Sequence, residues 1–330
     1  MTVANINDIA THTGLSNATI SRYLNGKPYV SKEAQLAIDM AVRELGYRPN
    51  ASARSLRSGR TGRVVMVLRD AYHPFYAALL AGACRAAASV GYDVLVQQNH
   101  AEGWHSDRLT QLVTTRGVDG VILTTDLDPW SEYQSALSGI PAVTCDQALS
   151  DQSLPGVFIE HYQSTIEGLS HLRERGARCI ACVQAPPADP CSSSDIRSAA
   201  YHDFAAQNPD TQIELVSIED DLVHSGYVML DALVHRSTPV DAVFSGSDDV
   251  AAGLLIAARE RGIAVPGQLR ILGFDDQPIA RTLEISTVRQ PVRRMGERAF
   301  ELVHSIIHGE NRFGADRLRV PYRLMVRSTT

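Results

Sequence analysis

Apolar residues in the first 47 positions recur at helical spacing in three short segments. Those of the first two segments are Ile6, Ile9, Ala10, Ile20 and Leu24. Gly14 permits a tight turn between these segments, and Ser16 can cap the second. A third segment begins at Ser31, ends at Gly46 and carries the apolar stripe Ala34, Ile38, Val42 and Leu45. The pattern predicts an all-α helix-turn-helix headpiece.

From Val64 onward, short unbroken apolar runs alternate with helical patterns. Strands are predicted at 64–68, 93–97, 120–125, 141–146, 156–160, 179–183, 214–218, 241–246 and 269–274. Helices are predicted near 76–90, 105–116, 161–175, 197–207, 225–236 and 249–261. Alternation of this kind predicts parallel sheets covered on both faces. The segment is too long for one such sheet, so we expect an α/β core of two doubly wound parallel-sheet lobes, with a ligand in the cleft between them.

A last strand is predicted from Arg317 to Val326, and no heptad repeat follows it. We therefore expect a homodimer rather than a tetramer assembled through a tail. The predicted domains are a headpiece at 1–48, a hinge helix and linker at 49–60, and a two-lobed domain for effector binding and dimerisation at 61–330.

The hinge is predicted from a short basic segment. Pro49 and Asn50 signal a helix start, and Gly59 ends a helix of about eight residues, too short to be stable alone in water. It carries Leu56 among basic neighbours, which suits a segment that folds on DNA and inserts an apolar wedge into the minor groove. The alternative is a flexible linker with one stray leucine.

Charge divides the chain at the same point. The whole chain has 31 Lys and Arg against 37 Asp and Glu, a net charge of −6. Residues 1–60 hold eight basic and four acidic side chains and sum to +4, which leaves −10 for the other 270 residues. The overall charge argues against nucleic acid as a partner, but the basic head is typical of a nucleic-acid-binding domain.

Several classes of protein are disfavoured. The N-terminus shows no secretory signal and no run approaches about 18 apolar residues, so we expect a cytoplasmic protein without a membrane span. Cys179 and Cys182 point to opposite faces of a predicted strand, which favours buried strand cysteines over a metal site. Motifs for a catalytic nucleophile, a phosphate loop or a dinucleotide site are missing, so we expect no enzyme activity, catalytic residue, metal or cofactor.

The second helix presents polar residues near its N-terminal end, where such helices meet base edges. They are Asn17, Ala18, Ser21 and Arg22. Arg22 can pair bidentately with guanine, for about 1–3 kcal/mol of discrimination, and Asn17 can read adenine or contact a phosphate. The alternative is an ordinary three-helix bundle with a solvated polar face.

Two blocks, GLSNATISRYLN at 14–25 and GYRPNASARSLRSGRT at 46–61, resemble the lactose/galactose repressor (LacI/GalR) family of bacterial transcription regulators. The resemblance implies that Asn17, Ala18 and Arg22 read bases, and that Leu56 wedges into the centre of the operator. It also implies that Ser16, Thr19, Ser21 and Asn25 contact phosphates or position the helix. Within the hinge we further assign Asn50, Ala53 and Arg57 to DNA contact.

The body resembles the periplasmic-binding-protein-like core of the same family through HPFY at 73–76, GVDGVIL at 117–123, GFDD at 273–276 and RST at 327–329. Asp146, Arg197 and Asp275 match effector positions of the family. Carboxylates accept hydrogen bonds from sugar hydroxyls, and a guanidinium donates to hydroxyls, carboxylates or phosphates. Asp275 could instead cap a turn with Asp276, and Arg197 could form a local ion pair.

Further effector candidates are Phe75, which could equally belong to the core, together with His73, Ser247 and Asp248. The sequence departs from the family at His73, at Glu160 and His161, at Ala200 and in the loop 185–195. These changes surround the expected effector cleft. They leave the effector open among a neutral sugar, a sugar acid and a sugar phosphate.

The sequence therefore predicts a DNA-binding transcriptional regulator, a repressor of carbohydrate-utilisation genes controlled by a small carbohydrate-type effector. Its expected partners are a near-palindromic double-stranded operator, the effector and a second copy of the chain. The alternative functions are a carbohydrate-binding protein and a sugar-modifying enzyme without a DNA role.

Overall fold

The computed structural model describes most of the chain. The described residues are 4–24, 27–47, 59–98, 107–124, 130–146, 154–184, 193–218, 222–236, 238–310 and 317–330. The chain divides into two compact units, Met1–Thr61 and Gly62–Thr330. We call them the head and the body.

The head contains three helices within its described residues. These are α1 (Ile6–Thr13), α2 (Asn17–Leu24) and α3 (Lys32–Glu44). Asn5 caps α1 by accepting a hydrogen bond from the Asn7 amide, and Gly14 ends it with a φ of 69°, which permits the tight turn into α2. Ile9, Ile20 and Ile38 are fully buried between the helices. The helix-turn-helix prediction is thus confirmed.

The body alternates strands with helices. Its strands are β1 (Arg63–Leu68), β2 (Asp93–Gln98), β3 (Gly120–Leu123), β4 (Ala142–Cys145), β5 (Gly156–Phe158), β6 (Cys179–Gln184), β7 (Gln212–Ser217), β8 (Ala242–Phe244), β9 (Arg270–Asp275), β10 (Ser286–Arg289), β11 (Arg317–Arg319) and β12 (Arg323–Met325). Its helices are α4 (Pro74–Ser89), α5 (Asp107–Thr114), α6 (Trp130–Leu137), α7 (His161–Glu174), α8 (Ser193–Gln207), α9 (Val223–Val234), α10 (Asp248–Glu260), α11 (Pro278–Thr282) and α12 (Val292–Ile307).

Within the described residues the strands form two six-stranded sheets, each the centre of one lobe. The first lobe has the order β11-β5-β4-β3-β1-β2 and the second the order β12-β10-β9-β8-β6-β7. Among these described strands, β10 and β12 pair antiparallel, whereas the other neighbours pair in parallel. The prediction of two doubly wound lobes is confirmed, with one antiparallel edge strand added.

The chain passes between the lobes three times within the described residues. The first passage joins β5 to α7, which packs on strands of the second sheet, and the second joins β10 to α12, which packs on the first sheet. The third joins β11 to β12. Residues at the first two passages contact the candidate ligand site described below.

The predicted strand from Arg317 to Val326 is wrong as a single element. Arg317–Arg319 pairs with β5 in the first lobe, whereas Arg323–Met325 pairs with β10 in the second. The residues between them carry the third passage, so one sequence run serves two sheets. The pattern also omits α6, β10, α11 and α12, which the structure shows.

Glycines let α4 and α12 cross closely in the first lobe. A Cβ atom at Gly82 would lie 1.9 Å from the carbonyl oxygen of Arg293, and one at Gly296 would lie 2.0 Å from that of Leu79. Any side chain at either position would collide with backbone, so the crossing requires glycine. This contact fixes α4, whose N-terminus carries His73.

Within the described part of the chain, no helix is both long enough and apolar enough to cross a membrane.

Candidate functional site

The turn before α2 is organised by Ser16. Its hydroxyl accepts a hydrogen bond from the Thr19 amide at 3.2 Å and lies 2.9 Å from the Thr19 hydroxyl. Ser16 therefore caps the helix, as its position in the sequence predicts. Both hydroxyls have a structural role in the head, and neither role prevents a further contact with a phosphate.

The candidate base-reading residues lie on one side of α2. Asn17, Ala18 and Arg22 are exposed, and Ser21 is half-buried. The Asn17 amide donates to Asn7 Oδ1 at 2.8 Å, which ties its orientation to α1. The Arg22 side chain forms no hydrogen bond or ion pair with any described residue. None of its guanidinium N–H donors is therefore used by those residues.

Five predicted DNA contacts lie outside the described residues. They are Asn25, Asn50, Ala53, Leu56 and Arg57.

In the body, the candidate effector residues follow the carboxyl ends of strands in both sheets. His73 and Asp146 come after strands of the first lobe, whereas Arg197 and Asp275 come after or end strands of the second. The charges of His73 and Asp146 both act on the Asp275 carboxyl group. Side chains from the two lobes therefore lie within electrostatic range of one another, and we call this polar region the cleft.

Asp146 connects the two lobes through a hydrogen bond. It follows β4 with a φ of 68°, a left-handed conformation that aspartate tolerates better than most residues. Its Oδ1 lies 2.8 Å from Nε2 of His161, the first residue of the second-lobe helix α7. Both side chains are buried. The His161 ring stacks on Phe274, with centroids 6.0 Å apart, so the pair joins β4 of one lobe to β9 of the other.

Asp275 is held in a strained backbone conformation at the end of β9. Its φ is 105°, which L-residues rarely adopt, and such strain persists where the surroundings enforce it. The amide of Gln290 donates to Oδ1 at 2.7 Å, and that of Gln277 donates to Oδ2 at 3.2 Å. The carboxylate thus accepts side-chain amides rather than capping a turn with Asp276.

Burial dominates the electrostatics of Asp275. It raises the pKa of this carboxyl group, and the charge of Asp146 raises it further. The hydrogen bonds from Gln290 and Gln277, together with the charge of His73, act in the opposite direction. The group is an acceptor in a site of low solvent access.

Arg197 enters the cleft from the start of α8. Its guanidinium lies over the Phe274 ring, 5.1 Å from the centroid, and Nη1 donates to the Gly246 carbonyl oxygen at 3.0 Å. The contact is a cation–π pair supported by a backbone hydrogen bond. No local ion pair of Arg197 is found among the described residues.

His73, Phe75 and Ser247 have clear structural roles. His73 caps α4, with Nδ1 3.3 Å from the Phe75 amide, and Phe75 is buried in the first-lobe core against Tyr76. Ser247 caps α10 by accepting from the Val250 amide at 3.3 Å. The core alternative for Phe75 therefore agrees with its packing.

Asp248 holds the second lobe together beneath the cleft. It is fully buried and accepts hydrogen bonds from the Thr287 hydroxyl and from the backbone N–H of Gln277, both at 2.6 Å. Burial raises its pKa well above the usual value, and the charge of Asp275 adds to that rise. A Cβ at position 273 would lie 2.3 Å from Asp248 Oδ1, which explains the glycine there.

The pKa of the neighbouring Asp276 shifts in the opposite direction. Its carboxylate is fully buried and forms ion pairs with Arg281 at 3.1 Å, with Arg289 at 2.6 Å and with Arg327. Burial acts to raise its pKa, but the hydrogen bonds from Arg327 and Arg289 together with the charges of Arg327 and Arg281 outweigh burial and lower it. Two adjacent aspartates thus differ in role, since Asp276 anchors the end of the chain and Asp275 faces the cleft.

Three cleft residues, His161, Gln277 and Gln290, were not among the predicted effector residues. His161 had a visible signal, because it departs from the family pattern next to Glu160. Gln290 lies at the second passage between lobes, which depends on the unpredicted strand β10. No local pattern in the sequence indicates its contact with Asp275.

Comparisons with known proteins agree with this architecture. The family model for bacterial regulatory proteins of the lacI family matches residues 5–50, and that for a periplasmic binding protein-like domain matches residues 169–330. The ribose operon repressor of Halalkalibacterium halodurans is 31% identical over 98% of this chain and 96% of its own length. The regulator NtdR of the NTD biosynthesis operon of Bacillus subtilis is 29% identical over 98% of this chain and 99% of its own length.

Solved structures show the same fold. The lac repressor dimer bound to operator and the anti-inducer ONPF superposes with a TM-score of 0.87 at 22% identity, covering 100% of this chain and 99% of that one. The complex of the transcriptional regulator CelR with cellobiose superposes with a TM-score of 0.71 at 27% identity, covering 99% of this chain and 100% of that one.

Fold and relatives together define a helix-turn-helix DNA-binding head joined to a periplasmic-binding-protein-like body. The chain belongs to the LacI family of bacterial regulatory proteins. It is a DNA-binding transcriptional regulator and not an enzyme, as the sequence predicts.

Proposed function

We propose that this chain is a cytoplasmic repressor that binds a near-palindromic operator as a homodimer. A small carbohydrate bound between the lobes lowers its operator affinity. The observation that carries the proposal is the meeting of buried polar side chains from both lobes at Asp146, His161 and Asp275. A ligand held by both lobes favours one lobe orientation over another and so shifts the population of DNA-binding states.

The DNA-binding half of the proposal rests on α2 and the hinge. In a dimer, two α2 helices would enter successive major grooves, with Asn17, Ala18 and Arg22 at base edges. The hinge at 49–60 would fold on the operator, with Leu56 as its wedge. We propose the boundaries 1–48, 49–60 and 61–330 for the three functional parts.

Gel-shift binding tests this function directly. We expect the full chain to bind a fragment upstream of its own gene, with an affinity that falls when an effector is added. D-Ribose and cellobiose are natural first ligands, because the names of the relatives mention a ribose operon and cellobiose. A chain that binds no DNA, or whose DNA affinity no carbohydrate alters, contradicts the proposal.

The hinge gives a second test. Leu56→Ala and Ala53→Pro should each weaken operator binding, because one removes the wedge and the other breaks the short helix. Binding should also fall steeply with salt, by about 0.9 in the log–log slope for each neutralised phosphate. Operator binding of both variants equal to that of wild type would rule out the hinge mechanism.

A further inference from the structure

The cleft contains buried polar atoms that have no hydrogen-bond partner in the described part of the chain. They are Nε2 of His73, Nδ1 of His161, Oε1 of Gln277 and Oε1 of Gln290. None of these four residues is more than 7% exposed. An unpaired buried polar group is costly to a folded protein, so four in one region indicate a site completed by a ligand.

The carboxylate of Asp275 determines which amide atoms remain unpaired. The two glutamines turn their NH₂ groups towards the Asp275 carboxylate, and each of its oxygens accepts from one of them. Their carbonyl oxygens then point away from Asp275 and require a donor. The amide orientation in both side chains follows from a single charged neighbour.

The remaining acceptors in the cleft add to this requirement. Asp146 uses Oδ1 to contact His161, and its Oδ2 has no described side-chain partner. Together with Gln277 and Gln290, it offers acceptor atoms to whatever occupies the cleft. Hydroxyl groups supply such donors and can also accept from Nε2 of His73, whose Nδ1 accepts from the Phe75 amide, whereas a phosphate dianion or a carboxylate supplies no donor.

Charge in the cleft opposes an anionic ligand. Asp146 and Asp275 already repel each other, and burial of Asp275 adds to the cost of negative charge there. The charge of Asp275 also raises the pKa of the fully buried Asp248, so a third carboxyl group lies within electrostatic range of this pair. The Arg197 guanidinium lies over the Phe274 ring, and part of its donor capacity is used on the Gly246 carbonyl oxygen.

We infer that the cleft takes an uncharged ligand rich in hydroxyl donors, with Gln277 and Gln290 as acceptors beside the carboxylates, and rejects sugar phosphates and sugar acids. The inference rests on the proposed function, because it names the ligand class of the same cleft. It selects one of the three effector classes that the sequence leaves open.

The test uses matched ligands on the full chain. Thermal shifts would be measured with D-ribose, D-glucose, D-xylose, cellobiose and myo-inositol, each beside its phosphate ester or aldonic acid where one exists. We expect at least one neutral member to stabilise the protein, and its charged counterpart to bind at least 10-fold more weakly by calorimetry. A charged member that binds more tightly than its neutral parent overturns the inference, as does a panel without any stabilising neutral member.

Variants test the two glutamines. Gln290→Leu and Gln277→Leu should each weaken the neutral ligand at least 10-fold, because each removes an acceptor. Gln111→Leu, on the exposed surface of α5, is the matched control and should leave the ligand affinity unchanged. Wild-type affinity in both cleft variants overturns the role of the glutamines. If one variant does not fold, the other decides.

Failure of this inference can be told apart from failure of the proposed function. A sugar phosphate that binds in the cleft and releases operator contradicts the inference and leaves the proposed function intact. A neutral polyol that binds in the cleft without any effect on operator affinity supports the inference and contradicts the proposed function.

Discussion

The DNA-reading face of α2 and the cleft of the body achieve recognition in opposite ways. On α2, Arg22 is exposed and has no described partner, so its donors are available to a duplex that itself supplies the acceptors. In the cleft, Asp275 is buried, strained and held by two glutamines before any ligand arrives. DNA supplies its own dense charge, whereas a small ligand needs a site built in advance.

The comparison also explains the distribution of charge. The head is basic, and its contacts with phosphates are screened by salt but need no burial. The body is acidic, and its carboxylates at the end of β9 are buried. Each of the following changes affects one of these regions and should leave the other intact.

The largest effect on stability is expected from a change at Asp276, because its carboxylate has a structural role whereas that of the adjacent Asp275 faces the cleft. Asp276→Asn leaves three arginines without their shared buried anion, and should lower the free energy of unfolding by about 3 kcal/mol. The lowered pKa of Asp276 means that its contribution is present above about pH 4 and is lost as pH falls further. Urea unfolding between pH 7 and pH 3 measures both the loss of unfolding free energy and its dependence on pH.

The control for this change is Asp210→Asn. Asp210 pairs with Arg173 at 3.0 Å on the exposed surface, so the same chemical exchange should have a much smaller effect. Equal losses in the two variants, or an Asp276→Asn protein with the acid sensitivity of wild type, would show that the buried ion cluster does not stabilise the second lobe.

A smaller effect, about 2 kcal/mol in base discrimination, is expected from Arg22→Ala. The variant should bind a wider set of sequences when duplexes are selected from a random library, because it loses a bidentate contact to guanine. Arg43→Ala, which removes an exposed positive charge from α3, is the control. It should weaken all duplexes alike. Unchanged base preference in Arg22→Ala would remove α2 residue 22 from the reading face.

The smallest effect is expected from Ser247→Ala. Ser247 caps α10, so its replacement should cost about 1 kcal/mol of stability and leave ligand affinity unchanged. Ser31→Ala provides the equivalent loss of a cap in the head, at α3. Calorimetry of Ser247→Ala with a stabilising sugar would assign the residue to the ligand site if affinity drops 10-fold or more.

Local patterns in the sequence predict much of this architecture, and they fail where long-range contacts decide. Gly14, Ser16 and the spacing of Ile9 and Ile20 predict the head, because helix starts and stops depend on near neighbours. The pattern of segment 317–326 predicts one strand because it does not show that the chain changes sheet there. Only the pairing with β5 and β10 reveals it.

The cleft shows the same division. Asp146, Arg197 and Asp275 follow predicted strands, where parallel sheets place their ligand-binding residues. The contact of Asp146 with His161 joins the two lobes, whereas that of Asp275 with Gln290 joins the ends of the neighbouring strands β9 and β10, and each spans 15 residues along the chain. The first contact depends on how the lobes pack and the second on the pairing of β9 with β10, and the sequence pattern indicates neither.

The central claim is that the cleft controls the head. Its most direct test is the operator affinity of the full chain, measured by fluorescence anisotropy with and without a saturating neutral sugar that stabilises the body. The account predicts at least a 10-fold loss of operator affinity on adding the sugar. An operator affinity that stays the same or rises while the sugar is bound would contradict it.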